Sequence, residues 1–277
     1  MELRDFIRYS IAEDVGSGDH TSLGCIPANK ESRARLLIKE DGVLAGVELA
    51  KFIVEEIDPT TAIEVFISDG SAVKNGDVAF HLNGKVQSIL KTERLLLNCM
   101  QRMSGIATTT RKYVNAIEGT TAKVLDTRKT TPLNRYLEKW AVRIGGGHNH
   151  RFGLYDMIMI KDNHVDYAGG IENAINNANH YLETKQLNIP IEIETRSLDE
   201  IKQVLKIGRV NRIMFDNFKP ELMHEAVTLV NQRFETEASG GIVLDTIRRY
   251  AETGVNFISI GALTHSVKSL DLSLKAF

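Results

Sequence analysis

Residues 191–217 read IEIETRSLDEIKQVLKIGRVNRIMFDN. The stretch opens on a short candidate strand at 191–193 and then places Glu194-Thr195-Arg196. Residues 197–207 follow with the spacing of an amphipathic helix. A second candidate strand at 212–215 ends at Asp216-Asn217. Strand, charged strand end, helix, strand is the pattern of a parallel βαβ unit buried on both faces. Outward from there the pattern recurs over the rest of the chain beyond residue 104. Strands are predicted at 123–125, 157–160, 236–238 and 257–260, and further helices at 220–234 and 243–253. Six or seven such units closing on themselves predict a βα barrel rather than an open doubly wound sheet. Before residue 104 the texture differs. A helix over 2–14 ends at Gly16-Ser17-Gly18-Asp19, a turn composition. Runs at 33–39, 62–68 and 77–82 alternate with period two, as half-buried strands do. Glycine turns separate them, and 88–103 reads as a helix. The predicted organisation is a small domain over 1–104 and a barrel over 105–267. The segment 69–77 superficially looks like a biotinyl or lipoyl carrier, but the carrier lysine is missing, so it reads as structural.

The chain has 277 residues, 34 Lys+Arg and 36 Asp+Glu, hence a net charge of -2. That balance argues against bulk electrostatic binding to nucleic acid or to an anionic membrane. With 43% hydrophobic and 25% charged residues, the composition is that of a globular protein. No segment approaches the roughly 18 apolar residues that span a bilayer. The first twenty residues lack the apolar core of a signal peptide. Cys25 and Cys99 form no CxxC pair and have no third partner, so they are expected reduced, one or both buried, in a cytoplasmic protein.

The chemistry is predicted to lie at the strand ends, because a βα barrel carries its active site at the mouth they form. Asp126-Thr127-Arg128-Lys129 follows the first strand and Lys161-Asp162-Asn163-His164 the second. Gly145-Gly146-Gly147-His148-Asn149-His150-Arg151 lies between them. Arg128, Lys129, His150, Arg151 and Lys161 thus converge, and point to a substrate with several negative charges. Glu194 and Asp216 supply carboxylates for sugar hydroxyls or for Mg²⁺. Ser239-Gly240-Gly241, before a helix, and Gly261, on the last repeat, suit a phosphate cradle of backbone N–H groups. Two other readings compete here. His148 and His150 share a face, as two zinc ligands would, but no third ligand is evident and Arg151 would repel a cation. Lys161 matches the strand-end lysine of Schiff-base aldolases.

Several of these motifs, in this order, resemble quinolinate phosphoribosyltransferase, also called nicotinate-nucleotide pyrophosphorylase (carboxylating). They are Asp126-Thr127-Arg128-Lys129-Thr130-Thr131-Pro132, Glu138-Lys139-Trp140-Ala141-Val142, the glycine run into His150-Arg151, Lys161-Asp162-Asn163-His164, Phe215-Asp216-Asn217-Phe218 and Glu237-Ala238-Ser239-Gly240-Gly241-Ile242. The resemblance spans essentially the whole chain. It implies an N-terminal α/β sandwich, an open TIM-like α/β barrel, and a C-terminal segment (about 268–277) that returns to the first domain. It implies transfer from 5-phosphoribosyl-1-pyrophosphate to quinolinate with decarboxylation, giving nicotinate mononucleotide for NAD synthesis. A paralogous phosphoribosyltransferase-like protein acting on another anion is the alternative it leaves.

By the same resemblance, Arg128, His150, Arg151 and Lys161 bind the quinolinate carboxylates, with Lys129 near the pyrophosphate and quinolinate. Glu194 and Asp216 contact the ribose and the Mg²⁺ shell. Ser239, Gly240, Gly241, Gly261 and His265 surround the phosphoribosyl phosphate. Arg94 is lent to the neighbouring subunit's site, which implies a homodimer or an assembly of dimers. Catalysis rests with Lys129, Lys161, Glu194 and Asp216. Two positions depart from the family pattern. Pro132 is followed by Leu133-Asn134 where a glycine is usual, and His148 stands where a small apolar residue is more common.

Overall fold

The computed structural model describes residues 2–277. The described residues divide into two compact units, one of residues 2–111, 131–146 and 266–277, the other of 112–130 and 147–265. Its elements run α1 (Leu3–Val15), α2 (His20–Cys25), β1 (Glu31–Ile38), β2 (Gly42–Val43), α3 (Val47–Ile57), β3 (Ala62–Val65), β4 (Ala72–Val73), β5 (Val78–Lys85) and α4 (Val86–Ala116). Then come β6 (Lys123–Leu125), α5 (Arg135–Ile144), β7 (Ile158–Ile160), α6 (Asp162–Ala168), α7 (Ile171–Lys185), β8 (Ile191–Thr195) and α8 (Leu198–Ile207). The last are β9 (Arg212–Asp216), α9 (Pro220–Val230), β10 (Glu235–Ser239), α10 (Leu244–Ala251), β11 (Phe257–Ser259), α11 (Ala262–His265) and β12 (Leu272–Ala276).

The first unit is built on a four-stranded antiparallel sheet of order β12-β1-β5-β3. The chain's last strand pairs with its first, Leu36 opposite Leu274. Alternation puts Ala34, Leu36 and Ile38 of β1 on the buried face, where they join Phe80, Leu82, Val47, Ala50, Leu96 and Met100 in one apolar core. Asp69, in the carrier-like segment, accepts from the Val47 and Glu48 backbone N–H groups at the start of α3, so its role is to cap that helix.

Helix α4 runs 13 residues beyond the predicted end at 103, straight through Ser104-Gly105. Gly105 is there for contact, not for a turn. A Cβ on it would lie 2.2 Å from the Lys268 carbonyl oxygen, so the returning C-terminal segment can lie against the helix only where no side chain stands. Helix α3, which the sequence reading left unassigned, buries Val47, Leu49, Ala50, Ile53 and Val54. Helix α5 belongs to this unit too. Its buried Glu138 pairs with Arg102 at 2.7 Å and accepts from the Thr131 backbone N–H.

The second unit is an α/β barrel of six parallel strands in the order β6-β11-β10-β9-β8-β7. Each strand from β7 to β11 neighbours the next in sequence, and β11 closes back onto β6. The ring is open between β6 and β7. His148 makes one parallel bridge to Leu125 there, by way of the Val124 carbonyl and the Asp126 N–H. The helices start where their sequences say they should. Ser197 caps α8 by accepting from the Glu200 N–H, Pro220 opens α9, and Ile201, Val204 and Leu205 give α8 its buried stripe.

Candidate active site

All the barrel strands are parallel, so their C-terminal ends meet at one mouth. The segments that follow them line a single cavity of roughly 700 Å³. Arg128, Lys129, His150, Arg151 and Lys161 line one part of it. Glu194 and Asp216, at the ends of β8 and β9, also line it. Ser239, Gly240 and Gly241 after β10, with Gly261 and His265 after β11, complete the wall. Arg94 does not line this cavity; it is an exposed residue of α4 in the other unit.

Buried polar groups hold these loops in place. Asp126, fully buried, accepts from the His150 backbone N–H at 2.9 Å and from the Asn149 side chain, which fixes where the His150-Arg151 segment enters the cavity. The Thr264 hydroxyl donates to the Lys129 carbonyl at 2.8 Å, tying the first loop to the last. Burial, and then the neighbouring Arg128 cation, press the Arg151 guanidinium below its usual value. Two guanidinium groups placed side by side call for an anion between them. Lys161 Nζ donates to Glu194 Oε2 at 2.8 Å. The Lys161 amine is thereby engaged by a carboxylate in the cavity wall. His148 is exposed and is not part of the cavity lining, which removes the zinc reading of the two histidines.

Sequence and geometry agree on a lineage. Residues 19–104 match the family model described as quinolinate phosphoribosyl transferase, N-terminal domain, and residues 106–275 match its C-terminal domain. The chain belongs to this family. It is 47% identical to the chloroplastic nicotinate-nucleotide pyrophosphorylase (carboxylating) of Arabidopsis thaliana, over 99% of this chain and 82% of that protein. It is 46% identical to quinolinate phosphoribosyltransferase (decarboxylating) 1b of Nicotiana tabacum, with the same coverage of 99% and 82%. The crystal structure of NadC from Streptococcus pyogenes superposes with a TM-score of 0.93 at 38% identity, covering 99% of this chain and 97% of that one.

Beneath the cationic wall of this quinolinate phosphoribosyltransferase-family cavity lies a charged cluster that the sequence reading missed. His150 Nε2 is 3.1 Å from Glu192 Oε2 and 3.4 Å from Glu237 Oε2. Arg212 Nη1 donates to Glu237 Oε2 at 2.9 Å and its guanidinium lies over the Phe257 ring. Both glutamates are 0% exposed. Burial opposes a charge on His150, yet its bonds to the two carboxylates outweigh that and push the ring up to about 9. Burial pushes Glu192 up to about 7, and the Glu237 charge adds to the rise. Burial would raise Glu237 as well, but His150 and Arg212 hold it below the ordinary carboxylate value.

One observation pulls the other way. The Arg151 backbone N–H points at His150 Nδ1 from 2.7 Å, which suits a singly protonated ring. A neutral hydrogen bond contributes about 1 kcal/mol, and bonds to charged groups roughly twice that. The two carboxylates at Nε2 nonetheless favour the charged ring. His150 and Arg212 then face Glu237, which they hold ionised, and Glu192, which burial leaves only partly ionised at neutral pH. The donors stand close enough to frame a metal ion, but the cluster already carries its own compensating cations.

The signal for both glutamates was strand parity. Glu192 has the parity of Glu194 on β8, and Glu237 that of Ser239 on β10. On a strand, residues two apart share a face, so each glutamate points to the same side as a predicted site residue.

Proposed function

We infer that this chain transfers the phosphoribosyl group of 5-phosphoribosyl-1-pyrophosphate to quinolinate and decarboxylates the adduct. The products are nicotinate mononucleotide, pyrophosphate and CO₂, a step of NAD biosynthesis. The observation that carries the inference is the meeting, in one cavity, of a cationic wall, two carboxylates and a glycine turn at a helix start. Those three features fit a pyridine dicarboxylate, a ribose and a phosphate respectively.

Arg128, Arg151 and Lys161 grip the quinolinate carboxylates, with the buried His150 adding positive charge. Lys129 stands between quinolinate and the departing pyrophosphate. Ser239, Gly240, Gly241, Gly261 and His265 hold the 5′-phosphate, where backbone N–H groups can approach an anion. Glu194 and Asp216 take the ribose hydroxyls. The pyridine nitrogen attacks the anomeric carbon as the bond to pyrophosphate breaks, through a state with positive charge on the ribose. The two carboxylates stabilise that charge, and the lysines and arginines fix the geometry. Once quaternised, the ring draws in the electrons left by departing CO₂, and a proton then adds at that carbon.

Glu194 and Asp216 are also the hard oxygen donors that suit Mg²⁺, which would neutralise charge on the pyrophosphate. The reaction is set in the cytoplasm, which the two free cysteines, Cys25 and Cys99, support.

The direct test is incubation of purified protein with quinolinate, phosphoribosyl pyrophosphate and Mg²⁺. Equimolar nicotinate mononucleotide, pyrophosphate and CO₂ are expected, and their absence overturns the reading. We further propose that Arg94 completes the site of a second subunit in a homodimer. An inactive Arg94→Ala protein mixed with an inactive Lys161→Ala protein should then regain part of the activity, and a mixture that stays inactive refutes the shared site.

A further inference from the structure

Asn217, which the mechanism above leaves without a role, joins two parts of the cavity. It lies in its lining, directly after Asp216 at the end of β9. Its Nδ2 donates to Asp216 Oδ2 at 2.7 Å. Its backbone N–H donates to the Ser239 carbonyl at 2.8 Å. Its side chain also fills the space beside Gly240. A Cβ on that glycine would lie 2.2 Å from Asn217 Oδ1 and 2.6 Å from Asn217 Cγ. One residue thus touches the ribose carboxylate with its amide and supports the glycine turn with both its backbone and its side chain.

The backbone narrows the choice of residue. Asn217 has φ 58, in the left-handed region, and Gly240 has φ 100. Glycine, asparagine and aspartate tolerate the left-handed region best. Glycine would offer no side chain to either neighbour. Aspartate would turn a second negative charge on Asp216. Asparagine alone of the three tolerates the conformation and donates a hydrogen bond to a carboxylate.

We propose that Asn217 is a positioning residue for the phosphoribosyl donor. It orients the Asp216 carboxylate and buttresses the Ser239-Gly240-Gly241 turn, so that ribose and phosphate are engaged in one fixed geometry. The proposal rests on the phosphoribosyl transfer inferred above. It predicts an effect confined to one substrate, because the hydrogen bonds of Asn217 go to Asp216 and Ser239, on the ribose and phosphate side.

The test compares Asn217→Gly and Asn217→Asp with the unmodified enzyme, each checked by thermal melting. Asn217→Gly relieves the backbone strain and removes only the side-chain contacts, so it is expected to fold. Its kcat/KM for phosphoribosyl pyrophosphate should fall about 10- to 100-fold, the value of one hydrogen bond to a charged group. Asn217→Asp should fall further, because it places like charges side by side. The Kd for quinolinate, titrated alone by calorimetry, should stay within about twofold in both variants if the two half-sites are separate. Kinetics for phosphoribosyl pyrophosphate within twofold of the unmodified enzyme in both variants overturn the proposal. So does an equal loss for both substrates, which marks a merely structural role. If the unmodified enzyme forms no nicotinate mononucleotide, the transferase reading itself fails, and that outcome is separate from the variants.

Discussion

Both sheets of this protein bury apolar side chains, but only the barrel adds a buried cluster of charges. In the antiparallel sheet of the first unit, the covered face carries Leu36, Ile38, Phe80 and Leu82, each 0% exposed and apolar. In the barrel, the corresponding depth holds Glu192, Glu237 and His150. The first arrangement is held by area removed from water, which is non-directional. The second is held by matching charges, which is directional and fails if a single member is lost. A fold can tolerate that cost where the charges set up a binding wall above them. It has no reason to incur it in a sheet that only has to stay closed.

The largest expected contrast is functional. Arg151→Ala should lower kcat/KM by about 100- to 1,000-fold, as loss of one preorganised charge contact does, with little change in the urea midpoint. Leu82→Ala should cost about 2–5 kcal/mol of stability while the folded fraction keeps its kcat. If Arg151→Ala proves fully active, the cationic wall is not the binding surface. Next comes a contrast in stability. Glu237→Gln keeps the shape but removes a charge that His150 and Arg212 share, and should cost about 3–5 kcal/mol in urea unfolding. Leu82→Met, an apolar swap of similar volume, should cost less than about 1.5 kcal/mol. Equal effects would erase the distinction between the sheets.

A smaller effect should appear with pH. The His150 ring rises in the fold from an ordinary value near 6.5 to about 9. Its contribution is therefore fully present below about 6.5 and is lost as pH rises through 9. Melting temperature should decline over that window, and His150→Gln should flatten the decline. An unchanged profile would show that the ring is not charged in the cluster. The smallest effect concerns the Leu133 departure. Leu133 is 79% exposed and sits at φ 64, a left-handed position costly for a side chain of that kind. Leu133→Gly should raise stability by less than about 1 kcal/mol, because glycine also gains freedom in the unfolded chain. A drop in stability would mean that the leucine makes a contact worth more than its strain.

Much of the barrel was legible from local pattern. The strand at 123–125 falls where predicted, and the other five shift by one or two residues. Each is a short run with at least one buried apolar residue ahead of a charged or glycine-containing turn, and such a signal is contained within the segment itself. The glycine turn at 240–241 and the cations at 128–129, 151 and 161 were legible for the same reason. The charged cluster was not, although each glutamate had the parity of a neighbour in the site. Whether a buried glutamate is tolerable depends on partners from other strands, and no local pattern shows that His150, Glu192, Arg212 and Glu237 will meet. Asn217 was passed over as the neighbour of Asp216, because its left-handed backbone and its contact with Gly240 arise only when β9 and β10 pair.

By itself, then, the sequence determined the kinds of element, the strand ends and the residue types gathered at the barrel's mouth, because hydrophobic period and turn chemistry act over a few residues. Only the tertiary structure decided which charges neutralise one another inside the barrel, why Gly105 sits within a helix, and where the C-terminal strand pairs. Those outcomes depend on groups far apart in the chain reaching contact distance, and Coulomb and steric energies are settled at that distance.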